Sequence, residues 1–260
     1  MKYIRIFFSV LWRAWFYLWM LVVILLLSPL LLATIWSDST YPTFFKVARL
    51  WAKLTFFGMG MSYHIESAYA LEKGKSYMFV ANHTSMMDIM MMLILVPDNP
   101  FVFVGKKELA KLPIFGFFYK RTCILVDRKD SKSRYQVFES AQAKLNQGLS
   151  ICIFPEGGVP DDRTIVLDHF KDGAFRLAID HQIPIVPLAM GYLKYFFPFQ
   201  WGLGKPGTVP VVIQPPISTA GCTQENKKVL KEATHHSILE QLLTWEEKRA
   251  RKDIKSIVNP

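Results

Sequence analysis

From Ala14 to Ile35 the chain runs for 22 residues without one charged side chain. About 20 apolar residues are enough to cross a bilayer core. This stretch therefore has to be buried in a membrane or in a large core, and it limits every fold the rest can adopt. It is too long for the apolar part of a cleavable leader, and no small-x-small cleavage site follows it. Ser28-Pro29 interrupts the run. Proline removes a backbone donor and crowds the preceding turn, so a kink or break is expected there. Ala14 to Leu27 alone would make about 21 Å of helix, short of a ~30 Å core. Lys2, Arg5 and Arg13 precede the run, and Lys46, Arg49 and Lys53 follow it. Basic flanks favour the cytoplasmic side. One straight span cannot place both flanks there, whereas a re-entrant helical hairpin bent near Pro29 can. A single transmembrane helix is the alternative. Trp12, Trp15 and Trp19 fall on one helix face, as interfacial aromatics do. Residues 40–60 mix aromatics with Lys46, Arg49 and Lys53, which suits a helix lying among headgroups. The rest of the protein is expected at the cytoplasmic face of a membrane.

Charge follows the same division. The net charge is +10, and residues 1–60 carry six Lys or Arg against one Asp. The same residues hold five of the seven tryptophans. Positive charge that travels with hydrophobic bulk points to a membrane surface and away from nucleic acid. At 51% hydrophobic residues the chain is far from disordered. Cys123, Cys152 and Cys222 are too few and too scattered for a disulfide framework. Residues 1–60 read as a membrane-anchoring helical segment. Residues 61–260 are long enough for one core of their own.

Beyond residue 62 short apolar runs alternate with helical stretches. Tyr77–Ala81, Phe101–Val104, Ile124–Val126, Ser150–Phe154, Ile185–Met190 and Val209–Gln214 read as strands. Helices are expected from Thr84 or Ser85 to Leu95, over Ser131–Gln147 and Ala174–His181, and along the charged tail Glu225–Ile257. Such alternation indicates an α/β domain.

Two groups of residues could carry chemistry. In Asn82-His83-Thr84-Ser85-Met86-Met87-Asp88 a histidine sits where a strand passes into a helix. Within one continuous helix, His83 and Asp88 would lie about 140° apart. With His83 in the turn before the helix, Asp88 can reach back, fix the tautomer and leave the other ring nitrogen as a base. Ser85-x-x-Asp88 is also a capping-box pattern, so Asp88 could instead serve the helix N-terminus. The second group, Phe154-Pro155-Glu156-Gly157-Gly158, follows a strand, at the end where α/β sheets bind ligands. There Glu156 could hold a substrate hydroxyl, or it could be a solvated residue in a plain glycine turn. Lys106, Lys107, Arg121 and Arg128 add cations able to bind phosphate, or a solvated charged surface. The methionines from Met86 to Met92 could line an acyl groove, or simply pack as core.

In this order the blocks resemble the PlsC-type phospholipid acyltransferase family. Asn82, His83 and Asp88 match its Asn-His-x4-Asp motif. Lys106 to Leu109, Pro113 to Gly116 and Asp127-Arg128 match the second motif. Phe154 to Gly157 match Phe-Pro-Glu-Gly, followed by Phe170 to Gly173 as Phe-Lys-x-Gly, and Pro184 and Pro187 match the fourth. The resemblance implies a central mixed sheet flanked by helices. It also implies transfer of a fatty acyl group from acyl-CoA or acyl carrier protein to the hydroxyl of a lysophospholipid. The family's commonest acceptor is 1-acylglycerol-3-phosphate, which gives phosphatidic acid. His83 would be the base and Asp88 its orienting partner. Asn82, Lys106, Arg121, Arg128, Phe154, Pro155, Glu156, Gly157 and Lys171 would bind substrate. Neither metal nor other cofactor is implied, since the thioester itself drives the reaction. The Thr-Arg that usually follows Glu-Gly in the third motif is replaced by Gly158-Val159. Arg163 could take that place from a shifted position, or the acceptor could be another lipid, such as a lyso-aminolipid. A membrane-anchored lipid-binding protein without turnover is the non-enzyme alternative. A serine hydrolase is disfavoured because no Gly-x-Ser-x-Gly occurs. A zinc protease is disfavoured because no His-Glu-x-x-His occurs.

Overall fold

The computed structural model describes residues 2–112, 115–127 and 131–258. It opens with two helices packed along each other, α1 (Lys2–Thr34) and α2 (Tyr41–Gly58). The two helices form a hairpin, but the expected re-entrant bend near Pro29 is absent: the whole apolar run lies in α1, which by length and composition could cross a membrane as in the single-helix alternative. Helix α1 continues through the proline and is about 50 Å long. The missing proline N–H orphans the Leu25 carbonyl, and the Ser28 hydroxyl donates to that oxygen at 2.8 Å. The chain reverses instead over residues 35–40. Ser37 accepts from the Ser39 amide, and a single 3-10 turn spans Asp38–Thr40. Pro42 then sits in the first turn of α2, where its fixed φ and missing donor cost nothing.

Tryptophan clamps the two helices together. The indole N–H groups of Trp12, Trp15 and Trp19 donate to the carbonyls of Met59 (3.1 Å), Gly58 (3.1 Å) and Leu54 (2.9 Å). Gly58 and Met59 are at the C-terminal end of α2, where carbonyls have no partner within the helix. The three indoles expected at a lipid interface are thus satisfied inside the hairpin. Gly58 is required for this fit: a Cβ there would lie 2.0 Å from Trp19 Nε1. Phe16, Val23, Leu31 and Ile35 form the buried seam of α1, while Phe7, Leu18, Leu25, Leu26, Leu30 and Trp36 are exposed. Beyond Arg5 the outer face is therefore apolar, as a lipid-facing surface requires.

The remainder is a seven-stranded mixed sheet. In chain order its strands are β1 (Ser62–Ala68), β2 (Met78–Ala81), β3 (Phe101–Lys106), β4 (Cys123–Val126), β5 (Ser150–Ile153), β6 (Ile185–Met190) and β7 (Thr208–Ile213). Across the sheet the order is β1-β7-β6-β2-β5-β3-β4. All neighbours are parallel except β6 and β7. The helices are α3 (Met87–Leu95), α4 (Phe115–Thr122), α5 (Ser131–Asn146), α6 (Gly173–Asp180), α7 (Leu193–Phe196) and α8 (Lys227–Val258). Strand β1 and helix α4 escape the sequence pattern. Strand β1 is an edge strand with almost every side chain exposed, so no apolar alternation marks it.

Hairpin and sheet share one core. Helix α2 packs on α3, and Phe45 meets Phe101 edge-on at 5.1 Å. The Tyr41 hydroxyl donates to the Phe101 carbonyl at 2.9 Å. Met87, Met90, Met91 and Met92 are all buried, so the methionine cluster is core packing. Two of the flanking cations are also structural. Arg49 donates to the carbonyls of Leu93 and Ile94 at the end of α3. Arg13 donates to those of Pro198 and Phe199, with its guanidinium 4.5 Å from the centre of the Phe197 ring.

Candidate active site

Strand β2 ends at Ala81, and the turn into α3 carries the first group of candidates. Asn82 is buried, and its amide pairs with β6. Nδ2 donates to the Met190 carbonyl at 2.9 Å, and Oδ1 accepts from the Met190 amide at 2.8 Å. It extends the sheet by one rung and fixes where His83 leaves the strand.

His83 lies just before α3 and Asp88 in its first turn, so the carboxylate reaches back. Asp88 Oδ2 lies 2.8 Å from His83 Nδ1. The same oxygen accepts from the backbone amides of Thr84 (2.6 Å) and Ser85 (2.8 Å). One atom thus orients the histidine and holds the turn that leads into α3; the N-cap itself, Met86, has no side-chain cap. Three donors offset the cost of burying a carboxylate that is 0% exposed. With Asp88 ionised, Nδ1 carries the proton and Nε2 is left as the basic nitrogen. The imidazole remains about 20% exposed and stacks on Phe154, ring centres 4.3 Å apart. Ser85 also anchors the turn, its hydroxyl donating to the Phe197 carbonyl at 2.7 Å.

Glu156 faces this turn from the loop after β5. It is buried, not solvated. Oε1 accepts from the His83 amide at 2.6 Å, and Oε2 from the Asp168 amide at 3.0 Å. Burial pushes its carboxyl up to about 7, against the pull of those two amides. Gly157 turns the loop with φ +80°, a conformation that suits glycine. The sequence offers no sign of Asp168 or of Phe197, because both reach the site through loops.

Residues 63–191, which include His83, Asp88, Lys106, Glu156 and Lys171, match the sequence profile of the family described as Acyltransferase. The 1-acyl-sn-glycerol-3-phosphate acyltransferase alpha of Mus musculus is 30% identical over 197 residues, covering 75% of this chain and 68% of that protein. The chain belongs to the acyltransferase family. The 1-acyl-sn-glycerol-3-phosphate acyltransferase of Haemophilus influenzae is 29% identical over 176 residues, 66% of this chain and 71% of that protein. The crystal structure of the 1-acyl-sn-glycerophosphate acyltransferase PlsC from Thermotoga maritima superposes with a TM-score of 0.73. It covers 93% of this chain and 98% of that one, at 22% identity, so the fold is shared.

The expected phosphate-binding cations of this acyltransferase are held in different ways. Lys106 closes β3, with Nζ 4.0 Å from where a Cβ on Gly158 would be. Arg121 lies over the Phe117 ring at 3.8 Å and the Trp36 ring at 4.9 Å, joining α4 to the bend of the hairpin. Arg163 donates to the Lys194 carbonyl at 3.2 Å. Lys171 is tied through its amide to the Pro155 carbonyl. It lines an open cleft of about 1000 Å³ with Phe154, Pro155, Gly157, Phe138 and Leu177. That cleft borders Phe154, on which His83 stacks, but neither His83 nor Asp88 lines it. Arg128 and Pro113 lie outside the described residues.

Proposed function

We propose that this acyltransferase moves a fatty acyl group from a thioester donor, acyl-CoA or acyl carrier protein, to the free hydroxyl of 1-acylglycerol-3-phosphate, giving phosphatidic acid. The observation that carries this reading is the hydrogen bond from His83 Nδ1 to a buried Asp88 carboxylate, which aims a basic Nε2 outward. In the reaction Nε2 removes the acceptor hydroxyl proton as the oxygen attacks the thioester carbonyl. The resulting imidazolium is stabilised by Asp88. Collapse of the tetrahedral intermediate breaks the C–S bond, and the imidazolium proton goes to the leaving thiolate. An ester and a free thiol result, with His83 neutral again. No metal or other cofactor enters this scheme. Lys106, beside the Phe154–Gly158 loop, is the cation placed to meet an acceptor phosphate. The apolar outer face of α1 lies in the membrane with the site at the cytoplasmic surface, so a lipid hydroxyl is reached without leaving the bilayer.

Thiol release by purified protein tests this, with acyl-CoA and acyl carrier protein donors, an acceptor panel, and mass spectrometry of the product. Phosphatidic acid formed fastest from 1-acylglycerol-3-phosphate is the expected result. Preference for a lyso-aminolipid would overturn the acceptor assignment. Absence of thiol release with every donor and acceptor would leave a lipid-binding protein.

A further inference from the structure

The carboxylate of Phe-Pro-Glu-Gly stands at a strand end, where a substrate ligand is expected, yet both of its oxygens face backbone. We propose that Glu156 is a positioning residue: ionised, it clamps the His83 backbone to the loop that ends at Asp168 and so sets where the imidazole stands. The argument is one of donors and acceptors. Two N–H groups, of His83 at 2.6 Å and Asp168 at 3.0 Å, point at two different oxygens. A carboxylate accepts on both. A protonated carboxyl turns one oxygen into a donor, and a glutamine offers an NH2 in its place; either can satisfy only one of the two amides well. The site is 4% exposed, so water is a poor substitute.

The charged and titratable groups facing Glu156 are His83 and Asp88 from the β2–α3 turn and Asp168 from its own loop. His83 favours the ionised form and Asp88 opposes it. With its carboxyl up at about 7, Glu156 changes charge within the pH range in which an imidazole base also works. The clamp tightens as pH rises and loosens as pH falls. Its kinetic consequence rests on the acyl-transfer reading above; its structural consequence does not.

The test uses the full chain, purified in detergent, with wild type, E156Q and E156D compared. In wild type both His83 and Glu156 must lose a proton, so log kcat should climb on the acid side with a slope near ~2. In E156Q the slope should fall to ~1. Its kcat should drop roughly 10- to 100-fold, as expected for a base shifted by a fraction of an ångström. Acceptor KM should stay within about twofold. E156D keeps the charge but is a methylene too short to bridge both amides. It should lose kcat while retaining the steeper slope, and it serves if E156Q does not fold. Amide hydrogen exchange at His83 and Asp168 should quicken in either folded variant. A raised acceptor KM in E156Q, with kcat and pH slope as in wild type, would make Glu156 a substrate ligand and sink the proposal, as would unchanged exchange at both amides. Should wild type transfer no acyl group at all, the functional reading fails, and the exchange experiment still decides the clamp.

Discussion

The β2–α3 turn and the expected phosphate-binding cations are built in opposite ways. In the turn the groups that support His83 are held by backbone. Asp88 is held by the Thr84 and Ser85 amides, Glu156 by the His83 and Asp168 amides, and Asn82 by Met190. By contrast, Lys106, Lys171 and Arg121 are exposed at the ends of long side chains. Arg121 is steadied by aromatic faces instead of by carboxylates. Backbone donors cannot rotate away, so the turn is preorganised for proton transfer. Lysine and arginine stems can shift, so these cations are not preorganised in the same way. The contrast predicts that substitutions in the turn act on kcat and those at the cations act on KM.

The largest effect should come from His83→Ala. Loss of a positioned base costs about 10²- to 10⁴-fold in kcat, with circular dichroism and melting temperature near wild type. A variant with full activity would remove acid–base chemistry from this site altogether. Asp88→Asn comes next and separates the two duties of one oxygen. The asparagine side chain can place its carbonyl where Oδ2 stands and accept from Thr84 and Ser85. Its NH2 then falls where Oδ1 has no hydrogen-bonding partner in the structure. The turn survives while the negative charge facing the imidazolium is lost. We expect roughly 10²-fold lower kcat with stability nearly unchanged. Asp88→Ala should also lose the bonds to Thr84 and Ser85, at about 1 kcal/mol each, read as a lower melting temperature. A D88N protein that is unstable but fully active would reduce Asp88 to a support for the turn.

Among the cations, Lys106→Ala should raise acceptor KM roughly tenfold, the scale of one charge-assisted hydrogen bond, and leave kcat within about twofold. Arg163→Ala should do much less, because its guanidinium is already turned to the Lys194 carbonyl. If R163A raises acceptor KM more than K106A does, Arg163 and not Lys106 holds the phosphate.

The same contrast explains what could be read from the sequence. His83, Asp88 and their turn are legible because five residues and a strand–helix junction contain the whole pair. Glu156 and Asn82 are visible as motif residues, but their duties are not. Asn82 pairs with Met190, 108 positions away, and Glu156 pairs with an amide across a loop. No local pattern encodes either partner. Arg163, attractive as a shifted phosphate ligand, donates to a carbonyl of α7 that no local pattern points to either. In the hairpin, two signals compete. Pro29 looks like the break, yet Ser28 repairs the ladder from the preceding position. The polar run Ser37–Thr40, followed by Pro42, turns the chain.

The smallest effect on chemistry, and the most informative about the membrane half, should come from Gly58→Ala. A methyl group there would be 2.0 Å from Trp19 Nε1, so the indole that bonds to Leu54 must move and the two helices must part. Overpacking of this kind costs about 1–3 kcal/mol, against roughly 0.5–1 kcal/mol gained by replacing a helical glycine. One route from the hairpin to the His83 turn runs through Phe197: Phe16 packs on it at 4.6 Å, and its carbonyl accepts from Ser85. Two outcomes distinguish an anchor from a coupled element. If the hairpin only delivers the enzyme to lipid, G58A should bind vesicles less well but turn over a short-chain, water-soluble acceptor at the wild-type rate. If its packing also holds the His83 turn, kcat should fall on the soluble acceptor too. The hydrogen bond from Ser85 to Phe197 is the contact to break next, by Ser85→Ala, to see whether the same loss appears without disturbing the hairpin.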